Sequence, residues 1–119
     1  MSDFQSVKEE LEFAAFHGFP LCQRPDLMRL LSYRMMDDDE DLELRVDVYV
    51  HRTEDLMVTV TEYEGSGGED RVTIRSIADT MEAIQRYDPD TAVRLAKSSR
   101  SARLMRQRGL ANWLEYLAS

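Results

Sequence analysis

From Leu42 to Val50 every even position is apolar, and every odd position except Tyr49 is charged. A helix would scatter those apolar side chains around its circumference. A strand sorts them, because successive side chains point to opposite faces. This period of two makes the segment a strand whose even positions face a core, and the rest of the chain must supply that core.

Two further segments fit beside it. Leu56–Glu64 alternates again, with Leu56, Val58 and Val60 expected inward and Met57, Thr59, Thr61 and Tyr63 outward. The polar stretch His51–Asp55 suits a hairpin connection. Arg71–Arg75 reads as a third strand with Val72 and Ile74 inward, entered through the Gly-rich link 64–70. An antiparallel meander of three strands is the economical arrangement.

The flanks have helical spacing. Phe4, Val7, Leu11, Ala14 and Ala15 recur every three or four residues, Ser2 and Gln5 have capping-box spacing, and Gly18 and Pro20 end the run. A second helix is expected from about Pro25, with Leu27, Leu30 and Leu31 toward the core and Met35 further along. After the sheet, Ser76 caps a helix bearing Ile77, Met81 and Ile84. Asp88 caps the next, with Pro89 in its first turn. Apolar positions then continue to Leu117, with breaks suggested at Ser98–Ser99 and at Gly109. The expected fold is one α+β domain over residues 1–119: two N-terminal helices, a three-stranded antiparallel β-meander, and two or three C-terminal helices on the even-position face. No apolar run approaches a membrane span, and no charged-then-apolar leader opens the chain. The single Cys22 excludes an internal disulfide framework and fits a reducing, cytoplasmic setting.

Charge is the second constraint. The net charge of −8 conceals an asymmetry. Residues 1–90 carry 22 of the 23 acidic side chains against nine Lys or Arg, a balance of −13. Residues 91–119 set Glu115 alone against Arg94, Lys97, Arg100, Arg103, Arg106 and Arg108, a balance of +5. On an α-helix, a step of three falls short of a full turn by about 60°, so this ladder is expected to wind around its helix and not to form a single stripe. Such a ladder meets carboxylates, the domain's own or a protein partner's, more readily than a polyanionic nucleic acid that the acidic body repels.

The remaining motifs carry little chemistry. The run Asp37-Asp38-Asp39-Glu40-Asp41 lacks the alternating ligands and glycine of a calcium loop, so it reads as a solvated loop or an acidic contact surface. Cys22, among Phe19, Pro20 and Leu21, suits a buried thiol; His17 is five residues away, and His51 is expected in solvent. No zinc spacing and no phosphate-binding loop is present, and neither metal nor cofactor is expected. The leading expectation is a small acidic non-enzymatic interaction protein: an adaptor, a chaperone-like binder or an inhibitor. Its partner contacts are assigned to Asp37, Asp38, Asp39 and Asp41, to Tyr49, Met57 and Tyr63 on the outward strand face, and to Arg100, Arg103 and Arg106. The alternatives are an acidic mimic of nucleic acid, direct nucleic-acid binding through Arg94–Arg108, and an enzyme without a linear motif. A homodimer formed by extending an open sheet edge is compatible with all of them.

Overall fold

A computed structural model describes residues 6–37, 42–65 and 71–119, without the side chain of Asp37. The order is α1 (Val7–Phe16), a 3₁₀ turn (Leu21–Gln23), β1 (Leu27–Asp37), β2 (Leu42–His51), β3 (Met57–Tyr63), β4 (Arg71–Arg75), α2 (Ile77–Tyr87), α3 (Pro89–Lys97), α4 (Ser99–Gln107) and α5 (Ala111–Ala118). The four strands form one antiparallel sheet in the order β1-β2-β3-β4. The architecture is α+β, with one more strand and one fewer N-terminal helix than the sequence suggests, and with four C-terminal helices where two or three are expected, because the chain breaks at both Ser98 and Gly109.

The N-terminal helix is capped by Ser6, whose Oγ accepts a hydrogen bond from the Glu9 amide at 3.2 Å. Ser6 and Glu9 have the same capping spacing as Ser2 and Gln5, and the later pair marks the start; Ser2 and Phe4 lie outside the described residues. Gly18 ends the helix at φ +74°, where a residue with a Cβ is strained.

The expected second helix is strand β1. Leu27 and Leu30 are an odd step apart and lie on opposite faces, and a bulge between Arg29 and Leu31 inserts one extra residue into the ladder with β2, so that Leu30 and Leu31 share a face. Leu27 packs on the α1 side of the sheet, while Leu30, Leu31, Tyr33 and Met35 pack on the other. Leu, Met and Arg are good helix formers, but ten pairings with β2 override that preference.

Register decides the faces. Val50 pairs with Met57 and Tyr49 with Val58, and directly opposed residues share a face. The even positions of β2 therefore lie beside the odd positions of β3. The expectation that Tyr49 and Met57 look outward together is corrected: they lie on opposite faces, and both are covered. Met57 is wholly buried with Val48, Val50, Met81, Leu95 and Met105 beneath the C-terminal helices. Tyr49 packs with Leu11, Leu21, Val58 and Val60 beneath α1. Tyr63 is half-buried at the far end of β3.

A polar cluster ties α1 to the end of β2. Arg24 donates from Nε and Nη2 to the two Asp26 oxygens at 2.9 and 2.7 Å, and Nη2 also lies 2.9 Å from Glu10 Oε1. His51, expected in solvent, is buried here. Its Nδ1 accepts from the amides of Thr53 and Glu54 at 3.1 and 2.9 Å, so Nε2 carries the proton donated to Asp26 Oδ2 at 3.1 Å. The Arg24 hydrogen bonds hold the Asp26 carboxyl below the usual carboxylate value, against a smaller opposing effect of burial. The unfolded chain then binds more protons near the free carboxyl value of about 3.9, so this contribution is complete at neutral pH and is lost as pH falls through the folded value. Asp26→Asn should therefore cost about 1–2 kcal/mol at pH 7 and progressively less below about pH 4. Urea midpoints of both proteins at the two pH values check this.

Candidate partner-binding surface

The basic residues of the C-terminal region sit on two helices, not one. α3 starts at Asp88, whose Oδ1 accepts the Thr91 amide at 3.2 Å and whose Oδ2 accepts Thr91 Oγ1 at 2.7 Å. It ends at Ser98, which leaves helical geometry (φ −74°, ψ 119°) and at once caps α4 by accepting the Ser101 amide at 3.2 Å. α4 closes on Gly109 at φ +75°, with the Leu110 amide donating to Met105 O at 2.7 Å and the Gly109 amide to Arg106 O at 3.1 Å. This is the Schellman pairing that satisfies the last carbonyls.

The break at Ser98 changes the charge geometry. Within α4, Arg100, Arg103 and Arg106 span an arc of only about 120°. The buried seam of Ser101 and Met105 lies on the opposite side of the helix. All three arginines are exposed. A winding ladder is thus corrected to a single arginine face, because the helix restarts before the charges can wind far.

Each basic residue has a distinct position. Arg94 lies over the Tyr33 ring, 4.2 Å from its centroid, in a cation–π contact. Tyr33 in turn bonds Thr91, and burial pushes its phenol above the usual value. Arg108 donates from Nη2 to Glu54 O at 3.1 Å and ties α4 to the β2–β3 loop. Lys97, Arg100, Arg103 and Arg106 form no ion pair among the described residues, where six such contacts occur elsewhere. Arg29, hidden from sequence reasoning inside the supposed second helix, joins Arg100 beside a depression of about 180 Å³ at the β1 edge, with Ser32 and Ser98. No periodicity marks it, because its place beside Arg100 depends on how α4 meets the β1 edge.

This face is costly to keep in an isolated helix. Like charges three residues apart repel, and Arg100 stands in the first turn, where the helix dipole favours an acidic residue. Arg103→Glu turns two repulsive neighbours into attractive ones and should stabilise the protein by about 0.5–1 kcal/mol at low salt. The gain should shrink in high salt as the charges are screened, which urea denaturation at two ionic strengths measures.

The other sequence candidates do not join this surface. Asp38, Asp39 and Asp41 lie outside the described residues, as does the Asp37 side chain; the Asp37 backbone pairs with Leu42. Tyr49 and Met57 are interior, and Tyr63 stands near Arg34, Glu43, Arg45 and Glu62 at the β1–β2 end of the sheet. Cys22, expected buried, is exposed, and no hydrogen bond joins it to His17, which stacks against Phe13 and Phe16. Among the described residues no three His, Cys, Asp or Glu side chains gather to hold a metal ion, and no helix is long and apolar enough to cross a membrane. No protein family, curated protein or solved structure matches the chain.

Proposed function

We propose that this chain is a non-enzymatic protein-binding module, an adaptor or inhibitor, whose partner lays an acidic segment on the arginine face of α4. The observation that carries this reading is the sharing of one exposed arc by Arg100, Arg103 and Arg106, with no carboxylate paired to them among the described residues. Internal neutralisation would place acidic partners there. A partner's carboxylates would relieve the repulsion along the face, and the planar guanidinium fork suits them.

Nucleic acid fits this face less well. α4 is nine residues, about 13 Å, and presents fewer cations than the six to ten phosphate contacts of a typical duplex binder. Its exposed arc carries no aromatic side chain for base stacking. The −13 balance of residues 1–90 also opposes a polyanion. Affinity capture from the native extract, with wild type and Arg100→Glu/Arg103→Glu/Arg106→Glu side by side, tests the proposal. A stoichiometric protein lost only from the variant supports it; an unchanged captured set, or nuclease-sensitive capture, counts against it.

A further inference from the structure

A second surface, on the other side of the C-terminal helices from the α4 arginines, has the composition of a ligand site. It is a groove of about 280 Å³ between strands β3–β4 and helices α2–α3. Its sheet wall is built by register. Thr59 pairs with Thr73 and Thr61 with Arg71, so these side chains stand together on the face covered by the C-terminal helices, and Arg75 follows two residues after Thr73. The helix wall brings Ala83 and Ile84, with Tyr87 exposed at the mouth.

The polar groups of this groove divide into two sets. Those of the helix wall are engaged: Thr80 Oγ1 donates to Ser76 O at 2.8 Å, and Thr91 and Asp88 bond each other at the start of α3. Those of the sheet wall are not. The half-buried hydroxyls of Thr59, Thr61 and Thr73 form no hydrogen bond among the described residues, and Arg71 and Arg75 form no ion pair there. A sheet face directed at helices normally carries apolar residues, as the β2 part of this face does with Val46, Val48 and Val50. Here its outer half carries three hydroxyls and two guanidiniums. The charges facing the groove are Arg71 and Arg75 against Asp88, whose two oxygens are already bonded at the positive end of α3. The balance favours an anion in a protein whose overall charge is −8.

We propose that this groove binds a small organic oxyanion, a phosphate or carboxylate on a short carbon skeleton, held by Arg71 and Arg75 and oriented by the hydroxyls of Thr59, Thr61 and Thr73. Guanidinium forks and hydroxyl donors match the oxygen lone pairs of such a group. Val46, Ala83 and Ile84 receive its apolar part, and the Tyr87 ring lies at the opening. The volume lies near the lower end of small-molecule sites, which limits the ligand to a small metabolite.

Titration of the isotope-labelled full chain with phenyl phosphate, with phenylacetate and with neutral benzyl alcohol, followed by amide and guanidinium NMR shifts, tests the assignment. At least one anionic probe should give saturable shifts at Thr59, Thr61, Arg71, Thr73 and Arg75, and the tighter of the two identifies phosphate or carboxylate. Affinity should fall about tenfold or more in Arg71→Ala/Arg75→Ala and in the near-isosteric Thr59→Val/Thr73→Val, whose folds the same spectra verify. It should persist in Arg100→Ala/Arg103→Ala/Arg106→Ala. Saturable binding of neither anion, equal binding of benzyl alcohol, or unchanged affinity in the two groove variants would overturn the proposal.

Discussion

Met57→Ala is expected to lower the unfolding free energy by about 3 kcal/mol, the cost of an interior methionine. Its side chain is wholly inaccessible and packs with Val48, Val50, Met81 and Leu95. Truncation leaves a cavity lined by strands and helices whose backbones are fixed by the ladder and the α2 and α3 caps, so little collapse is available. Met36, half exposed near the β1–β2 end, supplies the contrast: Met36→Ala should stay within about 0.5 kcal/mol. If Met57 faced solvent, as its alternation alone suggests, both substitutions would be equally mild. Urea unfolding of the two variants separates the cases.

Arg45→Ala is the second large effect, at about 2–3 kcal/mol. Asp47 stands on the α1 face of the sheet and is 2% exposed. Arg45 Nε donates to Asp47 Oδ2 at 3.1 Å, and Arg45 Nη2 lies 3.2 Å from Glu62 Oε2. Asp47 Oδ1 has no hydrogen-bond partner among the described residues. The neighbouring Asp47 carboxylate raises the Arg45 guanidinium above its usual value. Removing the arginine strands a buried carboxylate with neither counter-charge nor donor, and that desolvation cost exceeds the loss of a surface pair. Arg45 is itself part-exposed, so the expected loss is set below the range of fully buried pairs. Arg45→Ala/Asp47→Val should recover most of it, since the double change removes the orphaned charge along with its partner. A single variant costing less than about 0.5 kcal/mol would mean that water already solvates Asp47.

The parts of the fold legible in the sequence are those governed by local rules. β2 announced itself by strict alternation. Ser76, Asp88 and Pro89 marked α2 and α3 because caps act within one turn. The failures all involve a relation between segments. Taken alone, β1 resembles a helix because Leu27, Leu30 and Leu31 are spaced by three and one, and the bulge that sets Leu30 and Leu31 on one face exists only against β2. Alternation alone puts Tyr49 and Met57 on the same face, but hairpin register depends on the connection, and a shift of one residue exchanges the faces of a strand. Val50 and Met57 have opposite parity, which no property of either strand reveals. The α4 arginines were recognised, but their arrangement depended on whether the helix restarted at Ser98. The serine pair hinted at that break and packing realised it. The hydroxyl and guanidinium wall of the groove assembles only when β3 and β4 pair, so its members are unremarkable in linear order.

Polarity across the C-terminal helices links these findings. The buried seams of α2, α3 and α4 cover the sheet, the α4 arc faces outward with arginines that form no ion pair among the described residues, and the like-charge cost of that arc is borne by a helix anchored elsewhere. Its anchors are the wholly buried Met105 side chain and Arg108, which donates from Nη2 to Glu54 O at 3.1 Å. A face held against its own repulsion is expected to gain on meeting carboxylates.

The most direct test is fluorescence anisotropy of a short Glu-rich peptide titrated with wild type and with Arg100→Glu/Arg103→Glu/Arg106→Glu at low salt. The expected result is saturable binding to wild type, weakened about tenfold or more by the reversal, and tighter than binding of a duplex DNA of equal charge. Equal affinity for both proteins, no saturable binding, or a preference for the DNA would contradict the account of α4 as an acidic-partner surface.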